Sequence, residues 1–214
     1  MINMIAGADT TAAILRTALY HTLKNPSILA RLRTDLAAAG LTPQSIATAP
    51  VSFRTARSIP YLEALVRESL RILPGVSLGL ERYVPQGGTV LPDGQSLPQD
   101  TILSFNPYIL ARNASVWGAD ADQFRPERWL QAEGETEEGF AARLRAMNDA
   151  DLGFGGGSRI CLGKHMALMQ IYKVVATLVV RYELALEDKK REWEVVNSWF
   201  PRQKGIRVTG ERRG

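Results

Sequence analysis

The chain carries a single cysteine, Cys161, and two histidines among 214 residues. One thiol excludes an internal disulfide, a CxxC redox pair and a cysteine-rich zinc site. What stays open to it is burial as a small filler, reactivity, or metal ligation. An excess of one charge sign is also lacking. Lys and Arg number 26 against 22 Asp and Glu, a balance of +4. That mild surplus is spread along the chain and does not imply nucleic acid. No apolar run approaches the roughly 20 residues of a membrane span. The N-terminus lacks a basic segment followed by an apolar one, so no signal peptide is expected, and the chain by itself should be soluble. The remainder is ordinary globular usage, 45% apolar and 22% charged. This excludes collagen and wholesale disorder and leaves enough apolar residues for a sizeable core.

Helical spacing dominates the first third. Met1 to Leu23 reads as a helix with Ile14, Leu15, Ala18, Leu19 and Leu23 on its apolar side. It opens without a capping residue, as though already under way, which suggests a missing upstream part. Asn25-Pro26 reads as a cap and a first-turn proline for a helix to about Ala38, stopped at Gly40. Leu41 to Arg57 should be loop with at most a short helix. Pro60 opens a helix over Tyr61 to Leu73, and Pro74-Gly75 ends it. Glu81–Val84 and Thr101–Phe105 read as short antiparallel strands among Gly and Pro turns. A short helix is expected within Asn106 to Asn113. Ala114 to Leu130 should be irregular but packed, and Gln131 to Asp149 an exposed charged insertion with a second short helix. Cys161 to Arg181 reads as a long apolar helix, with strands to the C-terminus.

The sharpest feature is the run Phe154-Gly155-Gly156-Gly157-Ser158-Arg159-Ile160-Cys161-Leu162-Gly163. It fails as a phosphate cradle. Five residues rather than four separate Gly157 from Gly163, His165 follows Lys164 where Ser or Thr is needed, and no G-x-G-x-x-G occurs. Cys161 sits where the glycine loop becomes a helix, a place that favours a thiolate. Two uses fit. One is a nucleophile with His165, four residues on, as base, although no orienting group or oxyanion hole is nominated and a helix histidine is commonly just packed or solvated. The other is axial ligation of haem iron by one cysteine, with Arg159 beside it for a propionate.

This run resembles the cytochrome P450 haem-binding signature F-x-x-G-x-R-x-C-x-G, matching at Phe154, Gly157, Arg159, Cys161 and Gly163. Three further segments resemble P450 motifs in family order. Glu68 and Arg71 form an E-x-x-R pair, three apart on a helix face. Phe124-Arg125-Pro126-Glu127-Arg128 is similar to the F-x-P-E-R segment. Ala6-Gly7-Ala8-Asp9-Thr10-Thr11 is similar to the oxygen-activation motif.

The resemblance implies a mainly α fold with small antiparallel β-sheets, the C-terminal half of a P450, with residues 1–214 as one incomplete domain. It implies haem b ligated by Cys161, with Arg159 and Arg82 toward the propionates. Glu68, Arg71 and Arg128 would form a buried network supporting the cysteine loop. Small Ala6 and Gly7 would leave room for a diatomic ligand. Thr10, bonding back to the carbonyl of Ala6, would organise protons, and Asp9 would link to bulk solvent. Pro74–Leu80 and Ser198–Pro201 fall where the family places substrate-contact loops, although a Trp199-Phe200 pair also suits a plain core.

The activity implied is monooxygenation of a small apolar organic substrate with O2, electrons coming from NADPH through NADPH–cytochrome P450 reductase docked on the cysteine side near Lys164. The overall texture resembles fungal microsomal P450s of the pisatin-demethylase kind. That places the full-length protein at the endoplasmic reticulum membrane, on the cytosolic face, through an N-terminal anchor absent here. Inactive truncated fragment and haem-thiolate isomerase or dehydratase remain alternatives. With half the family's haem surroundings outside the chain, the chain alone is expected to be aggregation-prone and to bind haem weakly or not at all.

Overall fold

The structure is a computed structural model and describes residues 2–214, with side-chain surroundings from Ala6 onward. The helix expected from Met1 is therefore seen from Ile2, and Met1 lies outside the described residues. Helix α1 spans Ile2–Lys24 and α2 spans Pro26–Ala38. Asn25 precedes α2, but its side chain makes no cap; its amide donates backward to the carbonyl of His21 at 2.7 Å. With Pro26 at the first position one of the free helix-start donors is already absent, so the cap is less needed. The C-terminal stop is as the sequence suggests. Gly40 adopts φ +75°. Its N–H donates to Ala37 while that of Leu41 donates to Leu36, a Schellman closure.

Helix α3 is Phe53–Arg57 and α4 is Pro60–Ile72. Helix α4 is buried nearly all round, from Tyr61 to Ile72. It ends at Leu73 because Pro74 disfavours a helical residue before it. Strands β1 (Leu80–Tyr83) and β4 (Ile102–Phe105) pair antiparallel, Leu80 opposite Phe105, around the small hairpin of β2 (Thr89–Val90) and β3 (Ser96–Leu97). Helix α5 is Pro107–Leu110 and α6 is Ala114–Trp117; a 3-10 turn follows at Pro126–Trp129. The segment expected to be irregular thus contains two short helical turns.

Helix α7, Glu137–Ala150, departs furthest from expectation. It is neither short nor a free insertion. Met147 is buried against Trp117 and Trp129. Arg143 donates to the carbonyls of Arg128 and Leu130 and pairs with Glu135. The charged surface of this segment conceals a docked face, because arginine bonds to main chain leave no hydrophobic period to read.

Helix α8 is Lys164–Arg181. Four strands follow: β5 (Tyr182–Leu186) pairs with β8 (Val208–Arg212), and β6 (Glu194–Val196) with β7 (Arg202–Lys204), all antiparallel. The main core is where α1, α2, α4 and α8 meet. Ile14, Leu32, Leu62, Leu65, Val175 and Val179 belong to it, each at 3% exposure or less. A side chain buried this fully contributes about 1.5–3 kcal/mol. A second cluster of Tyr20, Leu23 and Leu186 fastens the C-terminal strands onto α1.

Candidate functional site

The loop before α8 carries the glycine run. Gly155 and Gly157 take φ of +71° and +61°, left-handed backbone that a side chain resists. The N–H of Cys161 donates to the carbonyl of Phe154 at 2.9 Å and closes the loop on itself. Phe154 packs against the main core, with Lys164 Nζ 5.7 Å from its ring centre. Cys161 is a free, exposed thiol. It is not inside α8 as the sequence suggested. The chain makes one more turn through Leu162 and Gly163, with the N–H of Lys164 donating to the carbonyl of Cys161 at 3.3 Å, and the helix begins at Lys164. At Gly163, the residue before the helix, a Cβ would lie 3.8 Å from Sγ, an ordinary contact distance. Leu162, between them, is fully exposed.

Arg159 and Arg82 are exposed, and neither forms an ion pair among the described residues. Arg82 Nη1 donates only to the neighbouring carbonyl of Glu81. His165 is exposed at the start of α8, and no hydrogen bond joins it to the Cys161 sulfur among the described residues. The nucleophile–base pairing considered from sequence is not assembled. Nor do the described residues hold any group of three His, Cys, Asp or Glu able to bind a metal. A metal here would rest on the lone thiol.

On α1, Ala6 to Asp9 are exposed and Thr10 is half-buried. Thr10 Oγ1 donates to the carbonyl of Ala6 at 2.8 Å, four residues back. A Cβ added at Gly7 would meet nothing within 4 Å. The loop after α4 presses on Thr10 itself: a Cβ at Gly75 would lie 3.0 Å from that of Thr10. Neither the distance nor the need for glycine at 75 had a signal in the sequence beyond the Pro-Gly pair.

Glu68, Arg71 and Arg128 come together, buried. Glu68 accepts five hydrogen bonds: from Arg71 Nε and Nη2, Arg128 Nε, the N–H of Arg125 and Trp129 Nε1, at 2.8–3.0 Å. Arg71 spends its other donors on the carbonyls of Ala111, Ala121 and Gln123. Arg128 reaches the carbonyls of Trp117 and Asp120 and the carboxylate of Asp120. The two arginines therefore act as a frame for the irregular backbone of 111–128. Their link to the cysteine loop is indirect, through Gly153 packed on Leu70 of α4. Trp129 and Asp120 were not singled out from sequence. A buried carboxylate facing two arginines needs more partners, and Trp129 next to Arg128 was the available signal. Phe124, in the same segment, stacks on His21 of α1 with ring centres 4.2 Å apart.

A family model described as Cytochrome P450 matches residues 1–206. The chain belongs to the cytochrome P450 family. A cytochrome P450 monooxygenase of Aspergillus candidus, cfoH, is 49% identical over the whole chain, which covers 39% of that protein. Another from Emericella nidulans, cicH, is 40% identical over 92% of the chain and 38% of its own length. Pisatin demethylase of Fusarium vanettenii is 35% identical over 93% of the chain and 35% of its own length. The chain thus spans about two fifths of these P450s. Members of this family are enzymes that hold haem through a cysteine thiolate, and the residues present suit that group. An exposed free sulfur stands beside a glycine turn, two exposed arginines form no ion pair among the described residues, and Gly7 borders open space.

Proposed function

We propose that the protein carrying this chain is a haem-thiolate monooxygenase acting on a small apolar organic substrate. Haem b, when bound, would supply the redox chemistry that activates O2, one atom entering the substrate and the other leaving as water. Cys161 would hold the iron through its sulfur. Phe154, Gly157 and Gly163 shape the loop that presents it. Arg159 and Arg82 would meet the propionates, for which their planar charged forks are suited. Ala6 and Gly7 keep the surface of α1 low. Thr10, with its hydroxyl proton committed to the Ala6 carbonyl, offers a lone pair to water, and Asp9 beside it can pass protons to and from solvent. Glu68, Arg71 and Arg128 hold the scaffold and take no part in proton movement.

The observation that carries this reading is the unpartnered thiol of Cys161 at the end of a loop whose turn only glycine at 157 accommodates. Electrons would come from NADPH through NADPH–cytochrome P450 reductase. Exposed Arg159 and the neighbouring Lys164 offer positive charge to an acidic docking partner. No helix among the described residues is long and apolar enough to cross a membrane. Residence at the cytosolic face of the endoplasmic reticulum, which we propose for the full protein, would rest on an anchor outside this chain. The chain by itself exposes Tyr83, Leu162 and Met166 at 71%, 101% and 65%. It should bind haem weakly or not at all, and a tight stoichiometric complex in titration would contradict that.

The reaction is tested by incubating the haem-loaded protein with NADPH, the reductase and an apolar extract of the source cells under labelled dioxygen. A product gaining one labelled oxygen is expected. A product of unchanged mass, or one that has lost water, formed without NADPH, would instead establish the isomerase or dehydratase chemistry.

A further inference from the structure

Helix α1 carries two copies of one device. Thr10 Oγ1 donates to the carbonyl of Ala6 at 2.8 Å, and seven residues on Thr17 Oγ1 donates to the carbonyl of Ala13 at 2.8 Å. Seven residues are close to two helical turns, so both devices lie on one stripe, roughly 10 Å apart. The first faces open space at Gly7. The second is filled. Gln203 Nε2, from strand β7, donates to the carbonyl of Ala13 at 2.8 Å and to Thr17 Oγ1 at 3.0 Å. Arg16 Nη1 lies 3.4 Å from Gln203 Oε1 and completes the amide. Thr17 is fully buried, so its oxygen has no solvent alternative.

Gln203 sits opposite Val195 in the β6–β7 hairpin, whose connection carries Ser198, Trp199, Phe200 and Pro201. That connection has a second attachment: the N–H of Ser77 donates to the carbonyl of Trp199 at 3.3 Å. Ser77 lies two residues beyond Gly75, the residue pressed against Thr10. The hairpin, the loop after α4 and the Thr10 turn therefore form a closed circuit of contacts. Gln203 is its polar link to α1. Among the described residues, the other polar bonds from α1 to the C-terminal region, from Tyr20 to Glu192 and from Lys24 to Glu192 and the carbonyls of Lys189 and Arg191, lie near the far end of α1 and precede the hairpin.

We propose that Gln203 is a positioning residue: its amide fixes the height of the β6–β7 hairpin along α1 and so sets where Trp199 and Phe200 stand relative to Thr10. Both donations go to acceptors on α1, and a side chain of the same shape without an N–H cannot make them. The hairpin then slides or tilts on the remaining contacts, and the reach of the site beyond Thr10 changes. This rests on the haem-thiolate reading above, because Trp199 and Phe200 matter to the reaction only if the substrate lies beside Thr10.

The test uses the haem-loaded protein that contains this chain, with Gln203→Glu and Gln203→Met, which keep length but lose the donors, and Thr17→Val, which loses one acceptor. Imidazole, small enough to touch only the iron side, and 4-phenylimidazole, long enough to reach the hairpin, serve as probes in spectral titrations. Hydrogen exchange of the Ser77 amide is followed in parallel. Loss of two hydrogen bonds should weaken 4-phenylimidazole about fivefold or more, leave imidazole within about twofold, and speed Ser77 exchange about tenfold while α4 amides are unchanged. Thr17→Val should show a smaller change in the same direction. Wild-type values for both probes and for Ser77 in either Gln203 variant would overturn the proposal. So would equal weakening of both probes with a general loss of stability. If the unmodified protein takes up no haem, the haem reading fails, and the Ser77 exchange alone decides whether Gln203 positions the hairpin.

Discussion

Arg128 Nε donates to Glu68 Oε1 at 3.0 Å across 60 residues of sequence, with both side chains at 2% exposure or less. The contact converts a surface-like E-x-x-R pair into the fixed point of the molecule. Every N–H of Arg71 is used, and Glu68 holds two guanidinium groups, an indole and a main-chain N–H at once. A buried cluster of this kind gains little over apolar packing, but it is costly to break from one side.

Glu68→Gln should therefore unfold the protein readily. The amide keeps the shape, removes the negative charge and turns its own NH2 toward donors. The expected loss is about 3–5 kcal/mol, the cost of leaving buried cations unpaired, read as the shift of a denaturant midpoint. A loss near zero would show that the network does not hold the 111–128 backbone.

Thr10→Val and Thr10→Ser separate the hydroxyl from the shape. Serine retains the bond to the Ala6 carbonyl and should retain most product formation in the haem-loaded protein. Valine fills the same volume without an oxygen, and product formed per NADPH should fall by about a hundredfold, the low side of what a positioned proton relay contributes. Equal coupling in both variants would remove Thr10 from proton delivery.

Gly157 and Gly156 stand side by side with different constraints. A Cβ at 157 would meet nothing within 4 Å, yet φ is +61° there, whereas Gly156 is extended at φ −154°. Gly157→Ala should cost about 1–2 kcal/mol through backbone strain alone and speed haem loss. Gly156→Ala, with its Cβ at ordinary contact distance from Leu152, should change either quantity little. Measuring haem retention for both separates backbone strain from crowding.

His21 gives a pH dependence. Burial between Phe124 and the aromatic rings of Tyr20 and Trp193 pushes its pKa down to about 4, with Arg71 adding to the fall and the carboxylates of Glu68 and Glu192 opposing it. The folded protein thus holds a neutral imidazole, and the unfolded chain binds the proton first. Stability should be unaffected above pH ~6.5 and drain away as pH falls from there to about 4, by an amount on the order of 3 kcal/mol. His21→Phe keeps the stack and should flatten that stretch of a stability–pH curve. An unchanged slope would place the acid sensitivity elsewhere.

Much of the frame was legible because proline and glycine punctuate it. Pro26, Gly40, Pro60 and Pro74 mark helix limits found within a residue or two. Glu81–Val84 and Thr101–Phe105 fall on the paired strands β1 and β4. The four motifs were legible as strings, and the back-bond of Thr10 to Ala6 follows from an ordinary habit of mid-helix threonine. What stayed hidden depends on tertiary contact. The docking of α7 uses Arg143 on main-chain carbonyls, which no periodicity reports. The start of α8 at Lys164 rather than Cys161 turns on one extra loop turn through Leu162 and Gly163. Gln203 reads as one polar residue in a short strand until its two bonds to α1 are seen.

The most direct measurement is the carbon monoxide difference spectrum of the reduced, haem-loaded full protein that contains this chain, taken unmodified and with Cys161→Ser. A thiolate-type Soret band in the first and its loss in the second is the expected result, since Cys161 is the one cysteine of this chain. The same band surviving in the serine variant would mean that the iron is held elsewhere, and the assignment of Cys161 would be wrong.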